Sequence, residues 1–128
     1  MSVYLQPLKK YADFTGRAAR SEYWGFYLFV LAVTFGSALL AALSAAAGVK
    51  ALAYLVVAAI VIFSLGTIIP FLAVGVRRLH DRDMSGWWML LSLIPYAGGI
   101  ILMVLFALPG TPGDNRFGAD PLANEASL

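Results

Sequence analysis

Three long apolar runs set the pattern of this chain, with charged residues confined to the borders between them. Tyr23 to Val49, Ala51 to Val76 and Met84 to Gly113 contain no Asp, Glu, Lys or Arg. A helix needs about 20 apolar residues to cross the hydrocarbon of a bilayer, so each run is long enough. The β-branched stretch Val56, Val57, Ile60, Val61 and Ile62 would suit a strand in water. At this length a helix is the expectation, because only helices and closed barrels satisfy their backbone polar groups in lipid. The fold class is therefore all-α and integral to a membrane, with about three transmembrane helices.

The first run opens on Tyr23, Trp24, Phe26 and Tyr27, where an aromatic belt would lie. It ends in small residues, Ser37, Ala41 and Ala45 and likewise Ala38 and Ala42, spaced by four so that another helix can approach closely. A cleaved signal peptide is not expected, although Ala45-Ala46-Ala47 resembles a cleavage site, because the apolar run far exceeds a usual signal core. Gly48-Val49-Lys50 is a minimal turn, which makes the first two helices antiparallel neighbours. Gly66 and Pro70 predict a kink in the second. In the third run Pro95-Tyr96-Ala97-Gly98-Gly99 interrupts the helical signal. A kinked helix crossing from Trp87 to about Leu108 is the expectation, and a re-entrant hairpin of two half-helices turning at Tyr96 to Gly99 is the alternative. Two full crossings are excluded, since neither half is long enough.

Before the first run, Tyr4, Leu8 and Tyr11 fall at i, i+4 and i+7, with Lys9, Lys10 and Asp13 largely on the other side. That spacing predicts a short amphipathic helix lying in the membrane interface, with Pro7 in its first turn and Thr15-Gly16 ending it. Residues 1–22 thus form an interfacial segment, 23–121 a single helical membrane domain, and 122–128 a tail expected to fray. Pro109 to Pro121 is rich in Pro and Gly and forms no regular element. Arg116 and Phe117 within it are placed to dock on the protein's own polar surface.

Composition sharpens this picture. The 128 residues are 61% hydrophobic and 12% charged, about half the charge of an ordinary soluble domain. A formal charge of +2 scattered at segment ends, with acids alongside, gives no nucleic-acid surface. Without cysteine there is no disulfide, thiolate metal site or thiol nucleophile, and no metal or cofactor is expected.

The candidate chemistry lies in Arg77-Arg78-Leu79-His80-Asp81-Arg82-Asp83. A charge left unpaired in hydrocarbon costs roughly 3 kcal/mol or more, so this group sits at a membrane surface or is paired. On a helix continuing through Arg82, Arg77 faces Asp81 at i+4, Arg78 faces Asp81 at i+3 and Arg82 at i+4, and His80 lies beside Arg77. With Arg17 and Arg20, which share a face ahead of the first run, the arginines Arg77, Arg78 and Arg82 are candidates for gripping phosphate or carboxylate anions such as lipid headgroups. Glu22, His80, Asp81, Asn115 and Arg116 are assigned to a structural polar network. The plainer reading is a clamp, or charge that sets topology, with no ligand. Ser85 before Gly86 reads as a cap. His80 and Asp81 are the sole acid–base candidates and have no nucleophile or metal set beside them. Lys9, Lys10, Arg17 and Arg20 precede the first helix and Arg77, Arg78 and Arg82 follow the second, against Lys50 alone between them. The positive-inside rule then puts the N-terminus and the Arg77–Asp83 loop in the cytoplasm.

Three motifs recur together: Phe14-Thr15-Gly16-Arg17 with Arg20 and Glu22-Tyr23-Trp24; Arg77-Arg78-Leu79-His80-Asp81 with Ser85-Gly86-Trp87-Trp88; and Pro109-Gly110-Thr111 with Gly113, Asn115-Arg116-Phe117-Gly118 and Asp120-Pro121. In order and spacing they resemble the domain-of-unknown-function 805 family of small bacterial inner-membrane proteins, over nearly the whole chain. Ala119 departs from it, standing where Pro is expected. The resemblance implies inner-membrane location and this fold, and carries over no activity, cofactor or catalytic residue. It also implies that the polar motifs belong together, which favours the re-entrant alternative more than the residues alone do. The function expected is a non-enzymatic interaction or anionic-lipid-binding protein, with a homo-oligomer or another membrane protein as a possible partner. The second reading is a subunit of an oligomeric small-solute or ion transporter or channel, weakened by the absence of charge inside the apolar runs. The third is a membrane enzyme acting on lipid or phosphate.

Overall fold

The turn after the first long helix shows how the chain punctuates its spans. Helix α2 covers Arg20–Ala46 and helix α3 covers Lys50–Asp81. Between them Gly48 takes φ +83°, the Gly48 N–H donates to Ala45 O, and the Val49 N–H donates to Ser44 O. These are the paired bonds of a Schellman cap, which needs a left-handed residue that glycine supplies without strain. The same cap closes α3, with Asp83 at φ +60°, its N–H on His80 O and the Met84 N–H on Leu79 O. Here an aspartate takes the glycine position, so the stop carries no glycine signal. Helix α3 therefore ends at Asp81, one residue short of the expected end, and runs unbroken through Pro70.

The computed structural model describes residues 5–122. At about 1.5 Å per residue, α2 and α3 are roughly 40 and 48 Å long, and only 11% of the most apolar window of each is buried within the protein. A soluble core helix of this hydrophobicity would be covered; these present apolar side chains outward, as a bilayer requires. All regular elements among the described residues are helical, and the isolated pairing of Asn115 with Gly118 is the one bridge recorded.

The described chain packs as two units. Tyr27–Ile68 is a helical hairpin in which Ala41, Ser44 and Ala53 are buried and Phe29 meets Phe63 edge-on. The other unit gathers the N-terminal segment to Phe26 with the chain from Ile69 onward. Its centre holds Ala18, Phe26, Ala73, Val74, Leu79, Leu102 and Phe106.

The N-terminal helix α1 is a single turn, Gln6–Lys9, with Pro7 buried at its start. Leu8 and Tyr11 are both substantially exposed, so the amphipathic helix anticipated over this segment is shorter than the spacing implied. Its Tyr4, and the tail beyond Leu122 expected to fray, lie outside the described residues.

The third apolar run is not one continuous helix. Ser85 caps a 3₁₀ helix, Gly86–Leu93, by accepting from the Trp87 N–H, and a turn at Ile94–Tyr96 leads into α4, Ala97–Ala107. Each piece is roughly 16 Å long, half of a hydrocarbon core of about 30 Å. The chain folds back at the turn, and Phe106 and Leu108 return to Arg78 at the end of α3. The backbone thus forms a hairpin of two half-length helices. Tyr96 forms the tip, 91% exposed and at φ +62°, a conformation costly for a non-glycine residue.

Gly98 permits the fold-back, because a Cβ there would run into the Leu91 carbonyl and press on Ile94. Gly98→Ala is expected to destabilise the protein by about 1–3 kcal/mol, the range for overpacking. Gly99 has open space at the same point, so Gly99→Ala should be neutral or stabilising by up to about 1 kcal/mol. Denaturant titration of the two variants in one detergent checks the contrast.

Candidate functional site

The site is a knot of buried charge in which backbone carbonyls from four segments converge on the arginines. Asp81 is its centre. Its Oδ1 accepts from Arg17 Nε at 2.9 Å and lies 2.8 Å from Arg17 Nη2, and its Oδ2 accepts from Arg78 Nη1 at 2.5 Å. The side chains of Arg17 and Arg78 are 1% and 0% exposed. Two buried guanidiniums therefore share one buried carboxylate, and carbonyls take up the remaining donors. Arg17 Nη1 donates to Gly113 O at 2.6 Å and Gly118 O at 3.3 Å, and Nη2 to Thr111 O at 2.6 Å. Arg78 Nε donates to Phe106 O at 2.9 Å, Nη1 also to Ala18 O at 3.4 Å, and Nη2 to Leu108 O.

The chain between α4 and the tail is bent around this centre. The Thr111 N–H and hydroxyl both donate to Asp81 O, at 2.7 and 3.1 Å. Gly110 packs so tightly on Asp81 that a Cβ would overlap the carboxylate. Asn115 Nδ2 donates to His80 O at 2.9 Å and Thr111 Oγ1 at 2.8 Å, while Asn115 Oδ1 accepts from the Phe117 N–H. Phe117 then stacks flat on the His80 ring, centroids 3.9 Å apart. His80 Nδ1 lies 2.9 Å from Gly16 O, and a carbonyl only accepts, so this nitrogen carries the proton. Arg116 sits over the Phe117 ring and pairs with Asp83 at 3.2 Å. That pair is open to solvent, its side chains 60% and 44% exposed.

Arg77 does not face Asp81, as the helical spacing suggested. It points to the N-terminal segment, with Nη1 on Glu22 Oε2 at 2.6 Å and Nε on Asp13 O at 3.1 Å; its side chain is fully buried. The partner that takes the second place on Asp81 is Arg17, sixty-four residues away in sequence, which no helix periodicity reveals. Arg20 and Arg82 differ from these three. Arg20 is exposed and reaches Ala107 O at 3.3 Å; Arg82 is half-buried, with Nη1 on Pro109 O at 2.5 Å and its buried Nε without a partner.

The five arginines read from sequence as anion binders thus divide into two groups. Arg17, Arg77 and Arg78 are buried and turned inward onto protein acceptors, with Arg77 Nη2 left without one; Arg20 is exposed and Arg82 half-buried. Sequence reasoning missed Asp13, Thr111 and Gly110 as parts of the site. The Thr15 hydroxyl and N–H donate to Asp13, and the hydroxyl bond above all holds its carboxyl below the usual range. Backbone N–H groups of Leu122 and Gly113 do the same for Asp120. Among the described residues no three His, Cys, Asp or Glu side chains converge as metal ligands.

Comparison with known proteins finds relatives along most of the chain. The family model for proteins of unknown function designated DUF805 matches residues 11–119, the stretch from the N-terminal segment through the tail loop of the knot. The chain belongs to the DUF805 family. It is 44% identical to the inner membrane protein YhaH of Escherichia coli strain K12 over 124 residues, covering 94% of this chain and 97% of that protein. It is 41% identical to the inner membrane protein YhaI of the same strain over 121 residues, covering 94% and 96%. No solved structure matches the chain. With relatives in the inner membrane and two outward-facing apolar helices of membrane length, this family member is a bacterial membrane protein.

Proposed function

We propose that this protein is a non-enzymatic inner-membrane protein that associates with anionic lipid at the cytoplasmic surface. In this reading α2 and α3 cross the bilayer, and the Gly86–Ala107 hairpin enters one leaflet and leaves by the same side. The observation that carries it is the return of Phe106 and Leu108 to Arg78, which favours a single surface for the N-terminal segment, the end of α3 and the tail loop. The basic residues left facing outward there are Lys9, Lys10, Arg20 and, in part, Arg82, while Lys50 is alone at the other end of α3. That asymmetry favours a cytoplasmic knot by the positive-inside rule, and the outward cations favour an anionic leaflet.

Catalysis is disfavoured by what the candidate groups already do. The Asp81 carboxylate is held by two guanidiniums, and the His80 ring is engaged by Gly16 at Nδ1 and by Phe117 across its face. Neither is poised toward a nucleophile. The test is lipid selectivity. Released from nanodiscs containing equal phosphatidylglycerol and phosphatidylcholine, the protein should retain phosphatidylglycerol preferentially in native mass spectra, and less so as salt in the loading buffer rises. Equal retention of both lipids would overturn the reading.

A further inference from the structure

Resting on that reading, one place on the knot has the chemistry to hold a phosphate group. A cavity of about 270 Å³ opens between Ala19, Arg20 and Ser21 at the start of α2, Pro109 and Gly110 on the loop after α4, Asp81 and Leu122. Among the described residues its acidic wall is Asp81, already matched by Arg17 and Arg78, so it presents a neutralised face. Arg20 has no carboxylate partner among the described residues and spends one of five guanidinium donors on Ala107 O. Two residues along the same loop, Pro109 O receives Arg82 Nη1, and Arg82 keeps a buried Nε that meets no acceptor. Two incompletely paired guanidiniums are thereby fixed to one loop that forms a wall of the cavity.

Charge balance points the same way. Arg17, Arg20, Arg77, Arg78 and Arg82 cluster around the buried acids Asp81 and Glu22, with Asp13 and Asp120 at the margin. Among the described residues cation is in excess, and Arg20 and Arg82 meet only backbone carbonyls. The 27-residue helix α2 adds the positive end of its dipole at the cavity. Leu122 gives an apolar border against which the carbon substituent of a phosphate ester could lie.

We propose that this cavity binds a single phosphate group, that of a phospholipid headgroup or of a free phosphate, with Arg20 as its principal ligand and Arg82 behind it. Native mass spectrometry titration in detergent gives the dissociation constant for phosphatidylglycerol, and calorimetry in the same detergent gives that for inorganic phosphate. Arg20→Gln should weaken the ligand that binds by about tenfold, as loss of a charged hydrogen bond does. Arg20→Lys should recover part of the loss, and Lys50→Gln, at the exposed start of α3, should change binding less than twofold. Arg20 is exposed, so these variants test the cavity without disturbing the buried knot. Phosphatidylglycerol binding that millimolar phosphate leaves unchanged assigns a lipid phosphate. Phosphate binding sensitive to Arg20, without lipid binding, assigns a free phosphate. Wild-type lipid preference left intact by Arg20→Gln and Arg82→Gln overturns the cavity and leaves the lipid reading standing. No binding of either ligand by the wild type overturns both.

Discussion

Asp81→Asn should cost this fold about 3–5 kcal/mol, the range for removing one partner of a buried ion pair, with a large fall in the denaturant midpoint of the purified protein. Asparagine keeps the shape and can still accept a hydrogen bond, so the change isolates charge. Arg17 and Arg78 retain their carbonyl acceptors in the variant, yet two guanidiniums with side chains 1% and 0% exposed would share no counter-ion. The nearest alternative for Arg17, Asp120, is 4.0 Å away and partly exposed. The control is Asp83→Asn, two residues on, which removes a solvent-open pair with Arg116 and should stay within about 1 kcal/mol. Similar losses at both positions would mean that burial around Asp81 is not what gives the cluster its energetic weight.

Much of this architecture was legible in the sequence because hydrocarbon imposes a blunt rule. Runs without charge became α2, α3 and the hairpin, Gly48 turned the chain, and Ser85 capped what followed. What the sequence hid falls into two physical kinds. The first is length against path: Met84 to Gly113 has enough apolar residues to cross, and composition cannot tell a straight course from a folded one. The decision is made by Gly98, whose missing Cβ lets α4 approach the Leu91 carbonyl. The second is the identity of the arginine acceptors. Most are carbonyls of Phe106, Ala107, Leu108, Pro109, Thr111, Gly113 and Gly118, and every residue has a carbonyl, so residue type gives no signal. The recurrent Gly and Pro of the tail were visible as turn formers, but not as the means of bending those carbonyls around Arg17. Helical periodicity found Arg78 with Asp81 because that pair is local. It assigned Arg77 to Asp81 for the same reason and missed Glu22, since a long-range partner on the N-terminal segment competes outside any helical window.

Single-cysteine labelling should place Asp83 and Asp114 on one side of the membrane and Lys50 on the other. The chain contains no cysteine, so Lys50→Cys, Asp83→Cys and Asp114→Cys each introduce a sole target for a membrane-impermeant maleimide in sealed, oriented vesicles. All three positions are exposed, and the substitutions spare the buried ion pairs. Lys50 begins and Asp81 ends a helix of about 48 Å, longer than the roughly 30 Å of hydrocarbon. Its two ends therefore label from opposite sides. Asp114 discriminates between paths for the third run. With the hairpin, Asp114 follows Leu108 and Thr111 back to Arg78 and Arg17 and labels with Asp83. With a crossing, it labels with Lys50. The crossing carries a definite energetic burden, because it would carry the carbonyls of Leu108, Thr111 and Gly113 to the far surface. Arg17 and Arg78 would then be left at the near surface with Asp81 between them and their other donors unmatched. Each such buried donor costs about 1–3 kcal/mol, and the half-length pieces Gly86–Leu93 and Ala97–Ala107 would have to realign as one helix through Pro95. Labelling of Asp114 together with Lys50 would therefore dismantle the knot itself, and with it the cavity beside Arg20 whose wall is the returning loop.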